Sequence, residues 1–385
     1  MAACMLTAAM RTNAAATTGK EYYDSVEVSL LTCSPHEEVY SLYGHSAIRF
    51  HDMHKSQGDW VFNWGIFNFK APHFVARFVF GLTDYELGVV GYKEFCDYYR
   101  RWGSMVTEQV LNLTTDEKAE LQRLLSDNIK EENRIYRYNF FYDNCSTRPR
   151  NIIEKAITGS VKYQPRTDYN PTWREMVRQK TANHHWATFG NDMLLGIRAD
   201  QTTDLRQQEF LPENLLYDFD RAQIINLDGT VRQLVSDRRM AVEPGVQIIE
   251  RDFPLSPTEC ALIMLVVVLL LSVSEWKRTK TYVAVDALLI TMTGLAGCVL
   301  FIMVFSEHPT TSINLQLLLV NPLHLAFLPS VVRRRKSRYW PLLLTMTALF
   351  LIGAIFQSYA EGMITLALCL LTRWGINRHC TKQKA

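Results

Sequence analysis

The stretch Tyr43-Gly44-His45-Ser46-Ala47-Ile48-Arg49 decides how the chain is read, and about a hundred residues later Phe141-Tyr142-Asp143-Asn144-Cys145-Ser146-Thr147 answers it. In the first, a histidine follows a glycine at a bend inside an extended run over residues 38–51. In the second, an extended run over 136–142 delivers a cysteine to the start of a helix, because Ile152, Ile153 and Ala156 carry helical spacing. A thiolate at a helix start is stabilised by unsatisfied N–H groups and the dipole there. A nearby imidazole takes the thiol proton and later hands it to a leaving group. The same N–H groups are expected to face an oxyanion forming on a carbonyl attached to the sulfur. Spacing alone leaves open the alternative that the cysteine is a small buried residue and the histidine a structural one.

Working outward, residues 25–33 alternate apolar and polar and read as a strand, and 60–69 and 81–91 as further β segments. Residues 93–102 suit a helix. Thr114 with Glu117 forms a capping box for another helix reaching about residue 130. Strands first, with the cysteine entering a helix, predict an α+β domain. Residues 160–257 contain six prolines and read as short helices and loops that buttress it.

The composition has two unlike parts. Mean hydropathy is −0.07, yet the chain is mostly apolar from Cys260 to Trp374. Apolar runs at 258–274, 281–305, 313–332, 339–356 and the shorter 362–374 approach the length a bilayer requires. They predict an all-α transmembrane domain of four or five helices. Lys and Arg crowd the loops after the first and third runs and the C-terminal tail, whereas 306–312 and 357–361 contain neither. Basic loops stay cytoplasmic, so the pattern fits five spans and places everything before 258 outside. The expected plan is a leader or disordered segment at 1–24, a periplasmic domain at 25–257, a membrane domain at 258–374 and a cytoplasmic tail at 375–385. Residues 1–20 make a weak export signal, with Arg11 after the apolar residues rather than before them. A net charge of +2 argues against a nucleic-acid partner. Eight cysteines are too few for a disulfide framework at this length; of Cys33, Cys96 and Cys145 in the outer domain, Cys145 is expected to be unpaired. His51-x-x-His54 reads as a solvated turn, and His184-His185 lacks a second cluster, so neither metal nor other cofactor is expected.

Gly44-His45-Ser46-Ala47-Ile48-Arg49 followed by Asp143-Asn144-Cys145-Ser146-Thr147 resembles the circularly permuted papain-like superfamily, in which the histidine strand precedes the cysteine helix. Cell-wall amidases and peptidases and lecithin-retinol-type acyltransferases are members. Trp64-Gly65-Ile66-Phe67-Asn68-Phe69, Phe189-Gly190-Asn191-Asp192, His308-Pro309 and Asn321-Pro322-Leu323 extend the likeness over nearly everything from Ser25 onward. Together with the span pattern, they resemble the Bacteroidetes-type apolipoprotein N-acyltransferase. That resemblance implies a multi-pass protein of the bacterial inner membrane. Its expected partners are a phospholipid acyl donor and a diacylated lipoprotein acceptor, with an acyl group moving between them as a cysteine thioester. Cys145 would be the nucleophile and His45 its base. Asn63 is the expected orienting group, with Asp52 and Asp59 as alternatives. Tyr43, Arg49, Asp143 and His308 are the candidate substrate-binding residues: a hydroxyl donor near the oxyanion, a phosphate partner, a guide for the amine, and a polar group at the outer end of a span. The same Cys–His pair suits a membrane-tethered cysteine amidase or peptidase acting on cell-wall peptides, and a non-enzymatic scaffold is the third reading.

Overall fold

The computed structural model describes residues 19–54, 58–68, 70–247, 253–333 and 339–382. The proposed leader up to residue 18 and most of the basic run after the third span, 334–338, lie outside the described residues. The chain forms two compact units: Met1–Phe78, Leu82–Asn170 and Thr203–Glu250 make the first, and Val79–Gly81, Pro171–Thr202 and Arg251–Ala385 the second.

The first unit is an α+β domain built on a seven-stranded antiparallel sheet. Its strands are β1 (Val26–Cys33), β2 (His45–Asp52), β3 (Asp59–Ile66), β4 (Asp84–Gly91), β5 (Val106–Leu111), β6 (Ile135–Arg137) and β10 (Val235–Val242), in spatial order β10-β5-β1-β2-β3-β4-β6. β7 (Ser160–Lys162), β8 (Gln223–Ile225) and β9 (Val231–Gln233) form a separate small sheet. Both faces of the large sheet are covered. Val28 and Leu30 of β1 pack with Ile48, Phe62 and Trp64 on one side, and Leu31 and Cys33 pack with Ala47 and Val61 on the other. Two-sided burial covers every β1 residue except the half-buried Glu27, the polar Ser29 and Thr32 included. Each such fully buried side chain contributes about 1.5–3 kcal/mol.

Three helices brace this sheet: α1 (Tyr92–Arg101), α2 (Thr115–Asn128) and α3 (Thr147–Ala156). The capping box at Thr114 and Glu117 is present, and Glu117 does more than cap. Its buried carboxylate also accepts from Arg232 at 2.6 Å and from the Thr158 amide at 2.9 Å, tying α2 to β9 and to the turn after α3. Two parts of the sequence reading need correction. The bend before His45 is not strand but a 3-10 turn, Val39–Ser41. The stretch taken as loops and short helices supplies β10, which pairs with β5 at the sheet edge. Its sequence VSDRRMAV is charged and largely exposed, as edge strands are, so it lacks the apolar alternation that marks an inner strand.

The second unit begins with α4 (Trp173–Thr181) and α5 (His185–Leu194) and continues as α6 (Pro257–Arg278), α7 (Val283–Val304), α8 (Leu323–Val332), α9 (Tyr339–Gly353) and α10 (Met363–Lys382). Pro257–Arg278, Val283–Val304 and Leu315–Val332 are each long and apolar enough to cross a membrane, and α9 is a shorter apolar helix. The third is interrupted. A 3-10 turn, Leu315–Leu318, gives way at Asn321-Pro322 to α8. The broken backbone lies against Gly294 and Gly297 of α7; a Cβ at Gly297 would come within 2.4 Å of Asn321 backbone atoms. Small residues at a helix crossing permit that approach.

Several polar groups within the spans are satisfied inside the unit. His324 Nδ1 bonds Thr293 Oγ1 at 2.6 Å, and Asn321 Oδ1 accepts from the Leu323 amide at 3.0 Å. Asn314 donates to the Met193 carbonyl at 2.7 Å and Gln316 to the Asp192 carbonyl at 2.8 Å, fastening α5 to the outer loops. Asp286, near the start of α7, is buried. It accepts from Arg373 Nε at 2.6 Å and from Asn377 at 3.0 Å. Arg373 also holds Glu275 at 2.8 Å and Ser272 at 3.1 Å, so its charge is spent inside the bundle. Removing one partner of a buried ion pair strands the others. Arg373→Met should therefore lower stability by roughly 3–5 kcal/mol, and adding Glu275→Gln and Asp286→Asn should restore part of that. Thermal unfolding of the three proteins in one detergent checks this.

Candidate active site

The site starts from one strand register. β1 and β2 pair so that Cys33 lies opposite His45. Gly44, just before, has φ of +77°, and a Cβ there would lie 2.8 Å from the Cys33 carbonyl oxygen. Glycine alone lets the chain turn into β2 so close to β1. Arg49 lies opposite Val61 across β2 and β3, which puts His45 and Asn63 on the same sheet face. The His45 Nε2–H donates to Asn63 Oδ1. That bond fixes the tautomer and leaves the Nδ1 lone pair as the ring's proton acceptor. Asn63 is thus the group that orients His45. Of the alternatives, Asp52 accepts from the His54 amide at 2.9 Å, and Asp59 binds Arg49.

Cys145 arrives from the other side. β3 carries an irregularity at Gly65, whose φ is +98°; a Cβ there would sit 3.5 Å from Cys145 Cβ and 4.0 Å from His45 Cε1. Thiol and imidazole therefore flank one side-chain-free position and line one cavity of about 470 Å³ with Asn63. No hydrogen bond joins the two among the described residues. Ten of the cavity's lining residues are aromatic or aliphatic, including Phe67, Tyr85, Tyr138 and Phe140, and none is Lys, Arg, Asp or Glu. Tyr85 and Tyr138 stack at 4.1 Å, and Phe67 lies on Tyr85 at 4.9 Å.

The helix start does not act as the spacing suggested. α3 begins at Thr147, two residues past the thiol, and its first amides are occupied: Asn144 Oδ1 accepts from Ser146 N and Thr147 N, both at 2.9 Å. The amides expected to hold a thiolate or an oxyanion are spent on capping. What favours a thiolate instead is the backbone of Ser46, the residue after His45, and then that of Cys145 itself. Burial outweighs it and pushes the thiol up to about 11. Burial likewise takes His45 down to about 4, against the bond to Asn63 and with a further push from His36. Both shifts favour the neutral pair, thiol plus uncharged imidazole.

Tyr43 lines the cavity, its ring edge-on to Phe140 at 4.8 Å. Arg49 does not: Asp59 accepts from it at 2.8 and 2.7 Å and Glu108 at 2.8 Å, and its guanidinium lies 3.5 Å from the Tyr92 ring centroid. It is committed to carboxylates and unavailable to a phosphate. Asp143 is also outside the wall, both oxygens accepting from Arg148 at 2.7 Å. His308 belongs to the second unit, in the loop after α7. Cys33 and Cys96 are both free and buried rather than bridged. Sequence reasoning missed Gly65, Asn144 and His36. The available signal for the first was a glycine within an aromatic strand. Among the described residues, no group of three or more His, Cys, Asp or Glu gathers to hold a metal.

An α+β domain with this cavity, followed by a bundle of apolar helices, defines a multi-pass membrane protein with an exported N-terminal domain. Residues 14–179 match the family model for the Lnb N-terminal periplasmic domain, and residues 248–385 match that for the Lnb transmembrane domain. The chain is an Lnb-type protein of the inner membrane, with its N-terminal domain in the periplasm. No curated protein and no solved structure matches it.

Because the thiol titrates near 11, iodoacetamide should alkylate Cys145 slowly at pH 7 and progressively faster as pH rises towards that value. Mass spectrometry of the modified peptide gives the profile. A plateau between pH 5 and 9 would instead mean a preformed thiolate–imidazolium pair.

Proposed function

We propose that the protein is a lipoprotein N-acyltransferase working through a Cys145 thioester. The observation that carries this is one uncharged, aromatic cavity containing Cys145, His45 and Asn63. An acyl chain is apolar and suits such walls, whereas cell-wall peptides carry charges that this lining does not answer. The Lnb-type periplasmic and membrane domains support a site whose substrates come from lipid.

In the first half-reaction His45 Nδ1 takes the Cys145 proton as sulfur attacks the ester carbonyl of a phospholipid. The C–S bond forms and the ester C–O bond breaks. The lyso-lipid oxygen leaves with the proton that His45 held. In the second half-reaction the amino group of a lipoprotein's lipidated N-terminal cysteine attacks the thioester, the C–N bond forms, and sulfur leaves. One acyl-enzyme shared by two substrates gives ping-pong kinetics. Asn63 keeps the His45 tautomer correct through both halves.

Intact-mass measurement of the full-length protein with phospholipid vesicles should show one added acyl group, absent in Cys145→Ala. Asn63→Ala should slow formation of the adduct about tenfold or more, as loss of a base's orienting partner does. Wild-type protein without an adduct under any quench would exclude the thioester route. Lipoprotein N-termini that stay triacylated in a strain depleted of the protein would favour the amidase reading.

A further inference from the structure

We propose that His36 is a second base in this cavity, accepting the proton that an incoming amine must lose to attack the acyl group on Cys145. The inference rests on the N-acyl transfer reading and adds a residue to it.

His36 lies in the loop after β1, is buried, and lines the same cavity as Cys145 and His45. What holds it in place is not its ring nitrogens. The ring stacks on Trp102 at 4.6 Å and 11°, with Tyr40 and Tyr98 edge-on at 6.2 and 6.0 Å. Its backbone is pinned to Ser41, which accepts from the His36 amide at 3.3 Å and donates to its carbonyl at 2.5 Å. Nδ1 is buried with no hydrogen-bond partner among the described residues, and a Glu38 carboxylate oxygen is 3.9 Å away. Buried polar atoms are normally paired. A histidine positioned by its ring faces and backbone, with Nδ1 left without a hydrogen bond among the described residues, is arranged to offer that nitrogen to something else. Burial lowers its pKa, against the pull of Glu38, which keeps it neutral and able to accept a proton.

Proton counting shows what it would accept. An N-terminal amine has a pKa of about 7.7–8.0, so it arrives largely as an ammonium. Turning an ammonium into an amide releases two protons. As the C–N bond forms and the C–S bond breaks, the departing sulfur recovers one through His45. The other needs a second acceptor before attack, and His36 takes it and passes it to water. Hydrolysis needs no such group, because attacking water is already neutral and His45 alone can return its proton to sulfur. A second neutral imidazole is what separates a site for amines from a site for water.

The test uses the full-length protein in vesicles, with the half-reactions measured separately. His36→Phe keeps a ring against Trp102, and His36→Gln keeps a polar side chain. In both, Cys145 acylation should stay within about threefold of wild type, which also shows the site is folded, while transfer to a diacylated lipopeptide with a free N-terminus should slow about tenfold or more. Transfer to methoxyamine, already neutral at pH 7, should be unchanged. Lipopeptide transfer at the wild-type rate, an equal fall in acylation and transfer, or an equal fall with both amines would each overturn the assignment. Wild-type protein that never acylates would reject the thioester reading itself.

Discussion

The side-chain amide of Asn144 decides where the sulfur sits. It accepts from Ser146 N and Thr147 N and donates to the Phe140 and Phe210 carbonyls, each at 2.9 Å. All the hydrogen-bonding capacity of one buried residue therefore goes into shaping the turn around its neighbour. Ser146 Oγ adds a bond to the Glu209 carbonyl at 2.8 Å, and Arg150 pairs with the buried Glu209 carboxylate at 2.8 Å. The loop is thus attached to a segment some sixty residues further on. The cost is that the Ser146 and Thr147 amides at the helix start serve structure and are not available to the thiol.

How much of this was visible in the residues depended on the range of the interaction. The Thr114–Glu117 capping box is a local rule between residues three apart, and the helix formed where that rule placed it. The order of a histidine strand and a cysteine helix was legible for a similar reason, as was Asn63 on the adjoining strand. β10 was not, because an edge strand needs no apolar alternation and its partner β5 lies more than a hundred residues away. Arg49 shows the opposite difficulty. Its type suits a phosphate, but only the fold reveals that Asp59 and Glu108 already claim it. Asn144 was adjacent to the thiol all along, yet nothing local distinguishes a cap from a bystander.

The membrane unit divides its polar residues between two tasks. Near the outer ends of the spans, Asn314, Gln316 and Gln357 bond the backbone of residues 192–195, with Gln357 donating to Leu195 O at 3.2 Å. Arg174 reinforces that segment with bonds to Asp192 at 3.0 Å and Asp200 at 2.9 Å. The conspicuous Phe189-Gly190-Asn191-Asp192 motif is therefore a docking element. At the other ends, Arg373 joins α6, α7 and α10 through Glu275 and Asp286. Charges buried among apolar helices are costly unless mutually satisfied, and these are.

The position of β10 carries a consequence for biogenesis. Its last residue, Val242, precedes the first residue of α6, Pro257, by only fifteen. Until β10 emerges, the backbone groups along one side of β5 have no partner strand. The translocating chain must therefore present almost its whole exported portion before that sheet is finished, and completion falls just ahead of the first hydrophobic stop. Assembly of the periplasmic domain and arrest in the bilayer become nearly simultaneous events during secretion.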